Sequence, residues 1–183
     1  LAMMCAALLA LTLAMELTMP WVMHVLAPGF VATPDRFALA VELTRITFPY
    51  LPLISLVALY GGILNSLDRF AAMAAAPILL NLILIGAMVG FADRLETPGH
   101  VLAWGVAAAG LAQLIWLIMA ARRDGWTLTL RLPKATPGVC KLFRLMLPAM
   151  LGAGVMQINL LIDMVLASTL PLGSISFLYY ADR

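Results

Sequence analysis

Five stretches of this chain run almost free of charge for about the 20 residues that an α-helix needs to cross a bilayer's hydrocarbon core. They cover residues 3 to 26, 46 to 64, 71 to 92, 101 to 121 and 145 to 170. A sixth begins near Ser174 and runs to Arg183. Between them lie polar connectors with turn chemistry: APGFVATPDRF with Pro28, Gly29 and Pro34, then NSLDRF, DRLETPGH with Pro98 and Gly99, and PLGS with Pro171 and Gly173. The connector at 122–144, RRDGWTLTLRLPKATPGVCKLFR, differs in holding six basic residues against one acidic. In its second half, GVCKLFRLM, apolar and basic positions alternate at helical spacing. That pattern predicts a short surface helix leading into the fifth span, with a solvated basic loop as the alternative.

Composition agrees with the pattern. Hydrophobic residues make up 64% of the chain and charged residues only 11%, and mean hydropathy is +1.04. A soluble domain carries roughly 25% charged residues, so this chain belongs in lipid. A net charge of +2 is too small to point to nucleic acid. The chain opens on Leu1 and stops inside an apolar run, and so reads as a fragment. LAMMCAALLALTLAM continues apolar through Val25 without a basic n-region, which fits a span better than a signal peptide. Cys5 and Cys140 stand singly, so neither a disulfide framework nor a zinc site is supported.

The basic residues also give an orientation. Arg69 and the six of residues 122–144 lie on one side, and Arg36, Arg45 and Arg94 on the other. The positive-inside rule then places the chain start and residues 122–144 in the cytoplasm. Trp21, Trp104 and Trp126, near segment ends, fit an aromatic belt, and the methionines read as gap-filling core. His24, near the end of the first span, and His100, in a connector, read as interfacial.

Helix breakers and small residues punctuate the spans. Pro49 and Pro52 lie in ITFPYLPLIS and Pro77 in AAAPILLN, where a membrane helix kinks and neighbours re-satisfy the freed carbonyls. Asn81, four residues after Pro77 and on the same face, could bond the carbonyl that the proline frees. Gly61 and Gly62, Gly105, Ala109 and Gly110, and Gly152 and Gly154 permit close helix approach. Asn65, at a helix end, reads as a cap.

Ionisable groups at membrane depth cost about 2.5–3.5 kcal/mol on insertion scales, so they face cavities or partners. Asp163 lies inside the fifth span with Asn159 one turn earlier on its face. Such an oxygen pair could contribute to a site for a small hard cation, other helices supplying the rest. A protonated or hydrogen-bonded carboxyl used in helix packing is the alternative. Glu16, in the middle of the first span, reads as an interhelical hydrogen-bonding acid or a functional carboxylate. Glu42 and Arg45, three residues apart, read as a mutual interfacial ion pair. No paired carboxylates on one helix, Ser/His/Asp set, phosphate-binding glycine loop or metal-binding histidine pair appears in the sequence, which tilts the reading away from catalysis.

Three stretches carry a family resemblance. ITFPYLPLISLVALYGGILNSLDRFAAMAAAPILLN, residues 46–81, resembles the fourth and fifth transmembrane helices of the MurJ/MviN lipid II flippases. LPAMLGAGVMQINLLIDMVLASTLPLGSISFLYYADR, residues 147–183, is similar to their seventh helix and the start of the eighth. APGF at 27–30 resembles their periplasmic loop after helix three, so the resemblance covers essentially the whole chain.

The resemblance implies an all-α polytopic membrane helical bundle. The chain would be a fragment, about helices three to eight of fourteen, of a two-lobe transporter of the MATE-like multidrug/oligosaccharidyl-lipid/polysaccharide superfamily. Residues 1–121 would belong to the first lobe, 122–144 to a cytoplasmic interlobe linker and 145–183 to the second lobe. The substrate would be lipid II, the undecaprenyl-pyrophosphate-linked peptidoglycan precursor, moved between leaflets of the bacterial inner membrane by alternating access. Arg183 falls on the arginine of the family's YYADR run, a cavity residue suited to pyrophosphate, with Asp182 beside it. Asp163 falls on a position that in some members contributes to a sodium site, so sodium or proton coupling through Asp163 and Asn159 is implied. Pro49, Pro52, Pro77, Asn81 and Gly62 would serve as structural or hinge positions. No cofactor is implied, and membrane lipids and cell-wall synthases are the expected partners. The rival functions are another polysaccharide-lipid or multidrug transporter of the superfamily, and a membrane enzyme or scaffold of lipid-linked precursor synthesis.

Overall fold

The computed structural model describes residues 1–127, 137–171 and 173–181, and among these the regular elements are all helical. In chain order they are α1 (Ala2–Leu26), a 3-10 turn (Pro28–Phe30), α2 (Pro34–Thr47), α3 (Tyr50–Ser66), α4 (Phe70–Ala74), α5 (Ala76–Phe91), α6 (Pro98–Arg123), α7 (Pro137–Ser168) and α8 (Ser174–Ala181). Five helical stretches are long and apolar enough to cross a membrane: Ala2–Leu26, Pro34–Ser66, Phe70–Phe91, Pro98–Arg123 and Arg144–Ser168.

The second of these is longer than the sequence pattern suggests. Helix begins at Pro34, in what reads as connector, because proline is pre-set for the first helical turn and its missing N–H has no partner to lose there. Pro49 and Pro52 then divide the stretch at Phe48–Pro49. The Phe48 carbonyl, which residue 52 would serve in an unbroken helix, accepts instead from the Leu51 N–H at 2.9 Å. Proline also lies inside two further helices, Pro20 in α1 and Pro148 in α7. Residues 137–144 are the first turns of α7 rather than a separate surface helix. The rest of the basic connector, 128–136, lies outside the described residues.

The described chain falls into two compact units, Leu1–Leu17 with Glu42–Leu132, and Thr18–Val41 with Pro133–Arg183. In the first, α6 is the central element and carries nine of the buried residues, from His100 to Ala121. Val57, Tyr60 and Leu64 of α3, Ala76 of α5, and Leu117 and Ala121 of α6 form one buried cluster. Lipid is as apolar as these side chains, so van der Waals packing rather than water exclusion holds such helices together. Close approach therefore matters. A Cβ on Gly110 would lie 2.6 Å from the Tyr50 ring, and one on Gly105 3.1 Å from Leu84, so α3 and α5 reach α6 at its small residues. Gly61 does the same against the Met73 side chain. Gly62, Gly152 and Gly154 meet nothing within 4 Å and contribute no close approach among the described residues.

Helix ends in this unit are closed by backbone geometry. After α3, Asp68 takes a left-handed φ of 59°, so that Arg69 N–H reaches the Leu64 carbonyl at 2.9 Å and Asp68 N–H the Asn65 carbonyl at 3.1 Å. Gly125, at φ 80°, closes α6 the same way, with Trp126 N–H on the Ala121 carbonyl at 2.9 Å. Both are six-to-one, five-to-two terminations. Asn65 thus serves its helix end through its carbonyl. The two ends meet in an ion pair, Arg69 to Asp124 at 3.4 Å.

In the second unit the 3-10 turn packs on the end of α7. Gly29 N–H donates to Ser168 Oγ at 3.3 Å, and a Cβ at residue 29 would collide with the Ser168 carbonyl. His24 Nδ1 lies 2.7 Å from the Pro20 carbonyl, and its ring stands edge-on to Phe37 at 4.5 Å.

Gly110→Ala should destabilise the full-length protein by about 1–3 kcal/mol through overpacking against Tyr50. Gly62→Ala, facing open space, should leave stability unchanged or raise it. Thermal unfolding in detergent distinguishes the pair, and equal effects at both positions would refute this packing.

Candidate functional site

The best-defined polar constellation at membrane depth is built on α6. Gln113 is only 2% exposed, and its amide is used at both ends. Nε2 donates to the Ala76 carbonyl at 2.8 Å, and Oε1 accepts from Tyr50 Oη at 3.4 Å, the long end of a hydrogen bond. One side chain thereby ties the first turns of α3 and α5 to the middle of α6. Trp116, nearly one turn on, donates Nε1 to the Ala72 carbonyl at 3.1 Å. Both accepting carbonyls flank the point where α4 gives way to α5.

That break is the work of Pro77, which occupies the first turn of α5. The missing N–H leaves the Met73 carbonyl without its ordinary partner, and the Ala75 N–H is shared between the Ala71 and Met73 carbonyls. Asn81, expected to repair this site, is exposed, and its side chain makes no hydrogen bond among the described residues. No α6 donor reaches the Met73 carbonyl itself; Gln113 and Trp116 instead bond the Ala76 and Ala72 carbonyls on either side of the break. Pro49 caps α3 and Pro52 lies in its first turn, so these two prolines also sit at a junction between helices.

A second constellation lies between α7 and α8. Asp163, partly buried, lines an open groove with Leu166, Ala167, Leu170, Ser174, Phe177, Leu178 and Ala181. No described residue hydrogen-bonds or ion-pairs with its carboxyl group. Asn159 is one turn earlier and exposed, outside that lining. The described residues present one carboxylate to the groove, fewer oxygens than the six to eight or so that hard cations such as calcium gather. Asp182 and Arg183 lie outside the described residues.

The remaining acids depart from expectation. Glu42 does not pair with Arg45; its Oε1 lies 3.4 Å from His100 Nε2. His100 itself is not in a connector but in the first turn of α6, 7% exposed. Glu16 has a buried Oε1 with no hydrogen-bond partner among the described residues, so the expected interhelical bond is not formed there. No group of three or more His, Cys, Asp or Glu able to hold a metal occurs among the described residues.

The family model described as lipid II flippase MurJ matches residues 1–183, the whole chain. The chain belongs to the MurJ lipid II flippase family. With its five span-length apolar helices it is a multi-pass membrane protein. A probable lipid II flippase MurJ of Rhizobium meliloti (strain 1021) is 45% identical over 96% of this chain and 34% of its own length. One of Vibrio cholerae serotype O1 is 43% identical over 81% of this chain and 28% of its own. The lipid II flippase MurJ of Burkholderia cenocepacia is 36% identical over 89% of this chain and 32% of its own. The chain thus spans about a third of these relatives.

Gln113 and Trp116 escape sequence reading for a physical reason. A single amide or indole inside an apolar membrane helix has no periodic signature. The signal available was that a polar residue at this depth must find a partner, and that Pro77 leaves carbonyls seeking one. Gln113→Leu should lower stability by about 1–3 kcal/mol, through loss of its two hydrogen bonds, to the Ala76 carbonyl and from the Tyr50 hydroxyl. Asn81→Ala should stay within about 0.5 kcal/mol of wild type. Thermal unfolding of the full-length protein checks both, and a larger effect at Asn81 would reassign the brace.

Proposed function

We propose that the protein carrying this chain translocates lipid II from the cytoplasmic to the periplasmic leaflet of the bacterial inner membrane. The observation that carries the reading is the match of the whole chain, residues 1–183, to the lipid II flippase family. The distribution of basic residues supports an orientation with the chain start and residues 122–144 in the cytoplasm. In this reading 1–121 belong to one lobe, 122–144 to the linker and 145–183 to the next lobe, and the lobes alternate access.

Arg183 engages the pyrophosphate through its guanidinium fork, a pairing strongest where water is scarce, with Asp182 as its neighbour. Asp163 couples transport to an inward sodium or proton gradient. Its carboxylate faces a groove and has no partner among the described residues, which suits a group waiting for a cation. Asn159 assists from the adjacent turn. The helix junctions at Pro49, Pro52 and Pro77 serve as hinges, and cell-wall synthases consume the product.

Leaflet-resolved measurement of lipid II, in cells depleted of the protein and rescued with the full-length gene, tests the reading. Arg183→Ala should reduce rescue on the order of tenfold or more, the loss of one charge-assisted contact being about 1.5–3 kcal/mol. Rescue equal to wild type would remove Arg183 from the substrate site. Asp163→Asn should weaken the dependence of transport on the ion gradient, and unchanged dependence would exclude the coupling role.

A further inference from the structure

The first turn of α6 holds a group that the transport reading does not use. Thr97 caps the helix and Pro98 opens it, and His100 sits within that turn at 7% exposure. Its Nδ1 lies 2.8 Å from Thr97 Oγ1, and the same oxygen accepts from the His100 backbone N–H at 3.4 Å. Its Nε2 is buried without a hydrogen bond, yet stands 3.4 Å from Glu42 Oε1, within ion-pair reach. Glu42 is 58% exposed and so connects this buried ring to water. The Leu43 side chain of α2 packs there too, since a Cβ on Gly99 would lie 2.9 Å from Leu43 Cδ1.

We propose that Glu42, His100 and Thr97 form a proton-responsive clasp between α2 and the start of α6. The chemistry balances without moving the ring. A carboxylate opposite Nε2 favours the tautomer that carries its hydrogen there, leaving Nδ1 to accept from the Thr97 hydroxyl. A proton taken from water adds to Nδ1, and the Thr97 oxygen turns from donor to acceptor. The ring is then an imidazolium facing Glu42, and a contact already assisted by the carboxylate's charge becomes an ion pair. Releasing the proton to water loosens the clasp.

Among the described residues Glu42 is the charged group within ion-pair distance of the ring; Asp93, Arg94 and Glu96, in the connector before Thr97, form no ion pair among the described residues. α3, α4 and α5, which pack with α6, contain no Asp, Glu, Lys, Arg or His. Arg45, one turn from Glu42, makes no ion pair among the described residues. Arg122 and Arg123 are at the other end of α6.

The test places spin labels at Arg45→Cys and Leu102→Cys, both exposed positions, in the full-length protein with native cysteines replaced, in lipid nanodiscs. Double electron–electron resonance should give a narrower distance distribution at about pH 5 than at about pH 8, the range across which histidine changes charge. Glu42→Gln and His100→Gln should each abolish that difference. Glu42 is exposed, so its variant decides the matter even where His100→Gln folds poorly. An identical wild-type distribution at both pH values, or a pH response that survives in Glu42→Gln, would overturn the clasp. Neither result depends on transport, so the test stands apart from the flippase reading.

Discussion

In a bilayer's core no water is available to a peptide group that lacks a partner, and each one left unsatisfied costs several kcal/mol. Every helix break in this chain has to be reconciled with that constraint. At Phe48–Pro52 the chain manages with its own backbone, Leu51 N–H taking over the Phe48 carbonyl. At Ala75–Pro77 the Met73 carbonyl loses its helical partner to the proline, and the Gln113 amide and Trp116 indole reach across from α6 to the Ala76 and Ala72 carbonyls on either side. Serine and threonine hydroxyls meet the same constraint for their own polar atoms by donating to a carbonyl one turn back, as Thr12 on Leu8 and Ser55 on Leu51 illustrate.

The same constraint explains why α6 is the organising element of its unit. Its small residues let α3 and α5 approach closely, and its polar residues finish their hydrogen bonds. The other helices present broad apolar surfaces, such as Leu82, Ile85 and Val89 of α5 and Val155 and Met156 of α7. Those faces suit lipid or packing against other apolar helices. The exposed pair Arg69–Asp124 contributes little energy by comparison, since surface ion pairs give about 0–1 kcal/mol.

Much of this was legible in the sequence. Span length is dictated by bilayer thickness, so all five apolar stretches were found and four of them closely bounded. The start of the second was missed because a Pro that follows Thr33 and precedes Asp35 looks the same in a loop as at a helix start. Asn81 was assigned a repair that its geometry does not perform, since Pro77 opens a new helix rather than kinking a continuous one. Asp163 was singled out by charge alone and does face a groove. The approach of Glu42 to His100 joins residues far apart in the chain, and no local pattern could have disclosed it. Family membership came from motifs such as TFPY and YYADR, which composition and periodicity do not reach.

The role of α6 can be read directly from backbone hydrogen exchange in the full-length protein in lipid, comparing wild type with Gln113→Leu over residues 72–80. Loss of the amide should accelerate deuterium uptake in that segment while leaving the rest of α3 and α6 near wild-type rates. Unchanged uptake across 72–80 would contradict a break held together from α6.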